Sequence, residues 1–303
     1  MNIAPAEKIA NAILYEGYLL YPYRPDSTKN RQRWNFGTLF PPAAATIGLS
    51  SFHAEVLVNG NDDSQLELRV RFLQFTSAEH ESIAEAIERY WEPPLVRLGD
   101  LLAGTQLSFA FAGGPMEMDG KPRLLQDIHG NIGLRAVRVS PGLFQVALEV
   151  ANASPSTAKS REEALLYCLT SAHAILQVQK GKFISLLEPD AELSEAVGRC
   201  RNTGVFPVLC GDAPAADTVL VSPIILYDYP QIAPESSGDF FDGTEMDEML
   251  TLRVMTLSDH EKKQLIAGDK RGREILERAS AVGEEQLMKV HGAIRGLRKV
   301  SGE

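Results

Sequence analysis

The chain has 303 residues, 44% of them apolar, and a formal net charge of −10. That apolar share is enough to fill a hydrophobic core without disulfide or metal staples. The acidic balance argues against nucleic acid or an anionic membrane surface as the partner of the whole protein.

No run reaches the roughly 18 consecutive apolar residues of a membrane span, so no membrane insertion is expected. The first ten residues lack the basic start and apolar stretch of a signal peptide. With cysteines at Cys168, Cys200 and Cys210 alone, the expectation is a cytoplasmic protein with reduced thiols.

Residues 4–14 have the spacing of a short helix. It leads into residues 13–36, which hold four of the chain's eight tyrosines, one of its two tryptophans and the basic side chains Arg24, Lys29, Arg31 and Arg33. Pro22 and Pro25 each remove a backbone donor, which keeps this segment out of a central strand. An edge strand with an ordered loop is expected instead. Aromatic faces beside guanidinium groups suit an anion or an acidic protein surface, so Tyr21, Tyr23, Arg24, Lys29, Arg31, Arg33 and Trp34 are the candidate binding residues. An intramolecular alternative stays open, in which this basic loop pairs with the chain's own acidic residues 235–248.

From residue 49 the period becomes two. Phe52, Ala54, Val56 and Val58 share a face, residues 59–63 turn the chain, and Leu66, Leu68, Val70 and Phe72 alternate on the return, which predicts a β-hairpin. Residues 77–91 switch to helical spacing through Ile83, Ala84, Ile87 and Tyr90, with Ser77 as N-cap and Pro93-Pro94 as the stop. Strands follow at 105–111 and in a hairpin near 134–150. Residues 113–115 and 130–133 read as glycine turns.

Residues 144–154 resemble an inner strand of a β-sandwich running into a polar turn. A helix is predicted over 160–171, with strands at 174–178, 183–187, 205–209 and 218–227. Strands interrupted by helices without a βαβ rhythm predict an α+β protein, its body mainly antiparallel and β-sandwich-like. That body spans residues 1–230.

Residues 231–303 differ. A linker rich in Pro, Ser and Gly precedes Asp242-Gly-Thr-Glu245, which has the form of a helix capping box. Met246, Met249, Leu250, Val254 and Leu257 then follow helical spacing, and Ser258-Asp-His-Glu261 repeats the box. A helical C-terminal appendage is expected.

Residues 202–252 contain nine acids and no Lys or Arg. Such a stretch suits an acidic docking surface, a hard-cation site, or a solvated face with helix caps. Glu16, Glu235, Asp239, Asp242 and Glu245 are the docking or ligand candidates. None of the six histidines has zinc-site spacing. His173 stands out before an apolar strand and reads as a core histidine, and Cys168 as a small buried hydrophobe. Nucleophile-elbow, phosphate-loop and dinucleotide motifs are missing. No catalytic residue and no cofactor is assigned, and binding is favoured over catalysis.

Two blocks carry a family resemblance. One is Ile13-Leu-Tyr-Glu-Gly-Tyr-Leu-Leu-Tyr-Pro-Tyr-Arg-Pro25 with Lys29-Asn-Arg-Gln-Arg-Trp34. The other is Pro223-Ile-Ile-Leu-Tyr-Asp-Tyr-Pro-Gln-Ile-Ala-Pro-Glu-Ser-Ser-Gly-Asp239, continuing from Asp242 to Arg253. They resemble a poorly characterised bacterial family encoded near uptake NiFe-hydrogenases and their maturation factors; the middle of the chain follows more loosely.

The resemblance implies an accessory protein in hydrogenase assembly or maturation that binds a hydrogenase subunit or maturation protein. Without paired-cysteine metal sites, the chain does not suit nickel delivery itself. The alternative is a metal-binding protein or enzyme with an anion site where segments 16–34 and 235–248 meet. A homo-oligomer stays open.

Overall fold

A computed structural model of the protein describes residues 4–15, 36–77, 85–118, 120–211, 213, 215–231 and 258. All but Ser258 belong to one unit of the chain, comprising Met1–Tyr15 and Asn35–Gln231. The expected linker and C-terminal helices lie outside the described residues.

The alternating apolar pattern at 51–75 produces two strands, β1 (Ser51–Asn59) and β2 (Gln65–Phe75). They do not pair with each other, which corrects the expected hairpin. The connecting turn instead carries the chain from one sheet to another. Ser64 Oγ accepts from Asn61 N–H at 2.9 Å and donates to the Lys180 carbonyl at 2.6 Å, while Gly60 N–H donates to the Gly142 carbonyl at 2.8 Å. Tied at both ends, the turn forms an arch, and the apolar faces of β1 and β2 meet across the core rather than side by side.

Later strands complete both sheets and add a separate ribbon. They are β3 (Ala86–Trp91), β4 (Val96–Arg97), β5 (Thr105–Phe111), β6 (Gly114–Met118) and β7 (Lys121–Leu125). Next come β8 (Ile128–Ser140), β9 (Leu143–Asn152), β10 (Thr170–Gln179) and β11 (Lys182–Ile184). The last are β12 (Phe206–Cys210) and β13 (Thr218–Ser222). One sheet runs β11-β1-β9-β8-β5; the other runs β12-β13-β10-β2-β3, with β4 also on β2; β6 and β7 form a separate ribbon. Every pairing is antiparallel.

Inward positions come into register across β8 and β9: Ile132 opposite Val150, Leu134 opposite Leu148, Ala136 opposite Val146. They share one buried core with Leu66, Leu68, Val70 and Phe72 of β2 and with Val219 and Val221 of β13. A β-rich α+β body is therefore present.

Among the described residues four α-helices decorate the sheets. α1 (Ala4–Tyr15) confirms the predicted N-terminal helix and packs on β10, β13 and β2. It buries Ile9, Ala10, Ile13 and Leu14. β10 is consequently buried on both faces and reads as a near-continuous apolar run. α2 (Leu98–Leu101) and α4 (Ser194–Arg199) have no counterpart in the sequence pattern. α3 (Arg161–Leu165) is the start of the helix expected over 160–171. It begins at Ser160, whose Oγ accepts from Glu163 N–H at 3.1 Å. It stops early because Leu169 is claimed by strand-like bonds to Leu39, and β10 begins at Thr170.

Further expectations are corrected. Residues 86–91 of the predicted helix form β3, paired along β2 from Phe75–Ala86 to Val70–Trp91; residues 78–84 lie outside the described ones. The free edge of β2, with Arg69 paired to Glu92 and Arg71 to Glu88, outweighs a weak local helix preference. Residues 130–133 are strand, not turn. Gly130 lies opposite Phe109, and a Cβ there would stand 2.2 Å from Phe109 Cζ. The ring fills the space a side chain would need. Strands expected at 183–187 and 218–227 are shorter, ending at Ile184 and Ser222.

Candidate binding surfaces

The residues singled out from the sequence, Tyr21, Tyr23, Arg24, Lys29, Arg31, Arg33 and Trp34 with Glu16, Glu235, Asp239, Asp242 and Glu245, all lie outside the described residues. The flanks of their segments are described. After the first, Gly37 adopts φ +58° and its carbonyl accepts from Ala172 N–H at 2.9 Å. A Cβ on Gly37 would stand 2.6 Å from Pro223 Cβ. The chain following the first resemblance block is thus packed against the opening residue of the second.

From Pro223 the second block runs over the end of β13 to Tyr229. Asp228 anchors it: Oδ1 accepts from Leu209 N–H at 2.7 Å, and Oδ2 accepts from Ser185 Oγ at 2.5 Å. Tyr229 adds N–H donation to the Leu209 carbonyl at 2.7 Å and O–H donation to the Ala213 carbonyl at 3.0 Å. At the other end Ser222 Oγ bonds both the carbonyl and the N–H of Ile224. Between these anchors Ile225 is 96% exposed and Tyr227 86%.

Asp228 therefore holds a loop in place instead of facing a partner. Asp217 is likewise occupied, accepting from Thr218 Oγ1 at 2.8 Å. Among the described residues no group of His, Cys, Asp or Glu is placed to hold a metal ion, and no helix is long and apolar enough to cross a membrane.

A second feature lies beneath α1, on the face of the β12-to-β3 sheet turned away from the core. Arg71 of β2 is nearly enclosed, pairs with Glu88 of β3 and donates to Asn11 Oδ1 of α1 at 2.6 Å. Its register partner on β10 is His173, fully buried, with Nδ1 2.8 Å from the Ser171 carbonyl. Burial, with the neighbouring Arg71 charge, pulls His173 down to about 3, so the ring is neutral. The register slips between Thr170 and His173, and Ser171 in that bulge has φ +53°. His173 is thus the core histidine the sequence implied.

Sequence reasoning missed Arg71 and Glu88. The signal was present: the alternation that puts Val70 and Phe72 inward leaves Arg71 on the opposite face of a strand.

All three cysteines are free, and burial holds each thiol above its ordinary range. Burial raises Cys168, whose Sγ lies 3.2 Å from the Ala164 carbonyl. It also pushes Cys210 up to about 12 and half-buried Cys200 up to about 11. Fold and surfaces together define a class, a two-sheet α+β protein with an anchored apolar loop; no family model and no curated protein matches the chain.

Proposed function

We propose that this protein is an accessory factor that acts by protein–protein binding, with a NiFe-hydrogenase subunit or a hydrogenase-maturation protein as its partner. The observation that supports binding is the loop from Pro223 to Tyr229. Its backbone and Asp228 are tied down while Ile225 and Tyr227 stand almost wholly in solvent. A large apolar side chain gains about 1.5–3 kcal/mol on full burial. A loop already ordered spends little of that gain on being fixed by a partner. Aromatic and aliphatic anchors of this kind dominate interface energetics.

The partner's identity rests on the resemblance of residues 13–34 and 223–253 to the hydrogenase-associated family. In this reading Tyr21, Tyr23, Arg24, Lys29, Arg31, Arg33 and Trp34 are a further set of partner-binding residues, and residues 231–303 act as a helical docking arm.

The test is co-expression with the hydrogenase subunits and maturation proteins of the same gene neighbourhood, followed by size-exclusion chromatography. The wild-type chain is expected to comigrate with one of them. Ile225→Ser with Tyr227→Ser is expected to weaken that complex at least tenfold at unchanged melting temperature, and Arg24→Glu with Arg31→Glu to do likewise. Comigration with none of these proteins, or complexes indifferent to both double variants, overturns the proposal.

A further inference from the structure

Five enclosed side-chain atoms have no hydrogen-bond partner among the described residues, and four of them are Arg71 Nη1, Thr170 Oγ1, Ser171 Oγ and His173 Nε2. All four residues are at most 3% exposed. They sit together. His173 faces Arg71 and Thr170 faces Leu73 across the β10–β2 ladder, so Arg71, Thr170 and His173 share a sheet face, with Ser171 in the bulge between. Buried polar groups are normally satisfied, and each exception calls for a physical reason.

The four groups are chemically complementary. Arg71 Nη1 can only donate. The Ser171 carbonyl beside His173 Nδ1 can only accept, which assigns the ring proton to Nδ1 and leaves Nε2 as an acceptor. Thr170 and Ser171 supply hydroxyls that serve either way. The set matches a ligand with several acceptor oxygens and one hydroxyl of its own. Arg71 already shares its charge with Glu88, which favours a single negative charge on that ligand. Bicarbonate is the simplest species of the kind.

α1 covers this cluster: Asn11 accepts from Arg71, and Ile9, Ala10, Ile13 and Leu14 lay an apolar face on the sheet. Each polar group sealed without a partner carries an uncompensated desolvation penalty. That penalty opposes what the apolar face contributes, and it is recovered when the helix lifts. A cover held this way opens more cheaply than its buried area implies, by local rather than global unfolding.

We propose that α1 is a displaceable cover over a latent site for a small, singly charged oxyanion bearing a hydroxyl, built from Arg71, Thr170, Ser171 and His173. The ligand selects the state with α1 lifted and draws the population toward it.

Hydrogen exchange on the full-length protein tests this. The amides of α1 are expected to exchange at least tenfold faster than those of β2 and β10. Sodium bicarbonate is expected to speed α1 exchange severalfold further while slowing exchange at residues 170–173. Acetate, which lacks the hydroxyl, is expected to do so weakly, and chloride at matched ionic strength not at all. Thr170→Val replaces an unpartnered hydroxyl with a methyl of the same shape. It is expected to slow α1 exchange severalfold and to blunt the bicarbonate response.

Three results overturn the proposal: α1 amides that exchange only with global unfolding, bicarbonate without effect beyond chloride, or Thr170→Val accelerating α1 exchange. The last would mean that an internal water satisfies the hydroxyl.

Discussion

Asp228 is where the fold and the proposed interface are most directly coupled. Substituting alanine removes the acceptor for Leu209 N–H and for Ser185 Oγ, now at 2.7 Å and 2.5 Å. Leu209 is buried, so its N–H is left without a partner and water does not easily replace one. A hydrogen bond to a charged group contributes about 1.5–3 kcal/mol. Ser185 loses less, because its oxygen still accepts from Leu187 and Glu188 N–H and its side chain is only partly buried.

The expected total for Asp228→Ala is about 2–4 kcal/mol. Asp228→Asn keeps an acceptor for Leu209 but turns an amide donor toward an oxygen that already accepts two bonds, so about half that loss is expected. Urea unfolding with a constant m-value measures both, and size-exclusion with the partner measures the loop. In Asp228→Ala, partner binding is expected to fall at least tenfold even in buffer where the protein stays folded. Stability within about 0.5 kcal/mol of wild type, the usual range for surface changes, would refute the reasoning. So would asparagine proving worse than alanine.

Other outcomes follow from the same geometry. Gly130→Ala drives a Cβ into the Phe109 ring, which is fixed against Phe72, Trp91 and Phe111; overpacking of this kind costs roughly 1–3 kcal/mol. Adding Phe109→Val opens the space, so the double variant is expected to be more stable than the sum of the singles predicts, and additive urea midpoints would contradict the packing. His173 is charged in the unfolded chain below its ordinary value of 6.5 but stays neutral in the fold down to about 3, facing Arg71 from β2 and, beyond it, Glu88 from β3. Its contribution to stability is complete above the unfolded value and is lost as the pH falls through that window, by ~1.4 kcal/mol per pH unit. His173→Gln is expected to flatten this part of the stability–pH curve; an unchanged slope would contradict it. Thiol titration with an aromatic disulfide at pH 8 is expected to label Cys200 slowly and first, with Cys168 and Cys210 reacting only on unfolding. Rapid labelling of either buried thiol would contradict their placement.

Much of the β-rich body is legible in the alternation of apolar residues, because one buried sheet face imposes a period of two. Phe144, Val146, Leu148 and Val150 declare β9, and Phe52 to Val58 declare β1. The same period does not reveal which strand pairs with which. β1 and β2 look like a hairpin because a short polar turn joins them; only tertiary bonds from Ser64 and Gly60 make that turn an arch.

Residues 86–91 show the converse. Ile87 and Tyr90 fit a helical face, but a long neighbouring strand with arginines at Arg69 and Arg71 gives this segment a better place at its edge. Gly130 reads as a turn because a glycine normally marks one, and the Phe109 ring that requires its absent side chain is remote in sequence. For the candidate sites, His173 was visible before its apolar strand. The cluster around it was not, since Arg71, Glu88 and Asn11 come from three separate elements.

The arch between β1 and β2 also shapes how the chain folds. β8 and β9 are joined by two residues and can pair early, but Ser51 must find Ala151, and Gln65 must find Gln179. Both long-range closures share one short connection, so completing either sheet brings the other's strand close to its place. Such non-local pairing slows folding and binds the two halves into one cooperative step. A chain ended after β9 would keep that partner of β1 but leave β2 only β3 and β4, opening the long backbone edge that β10 occupies. Truncation in this region is therefore expected to yield an aggregating fragment instead of a smaller working domain.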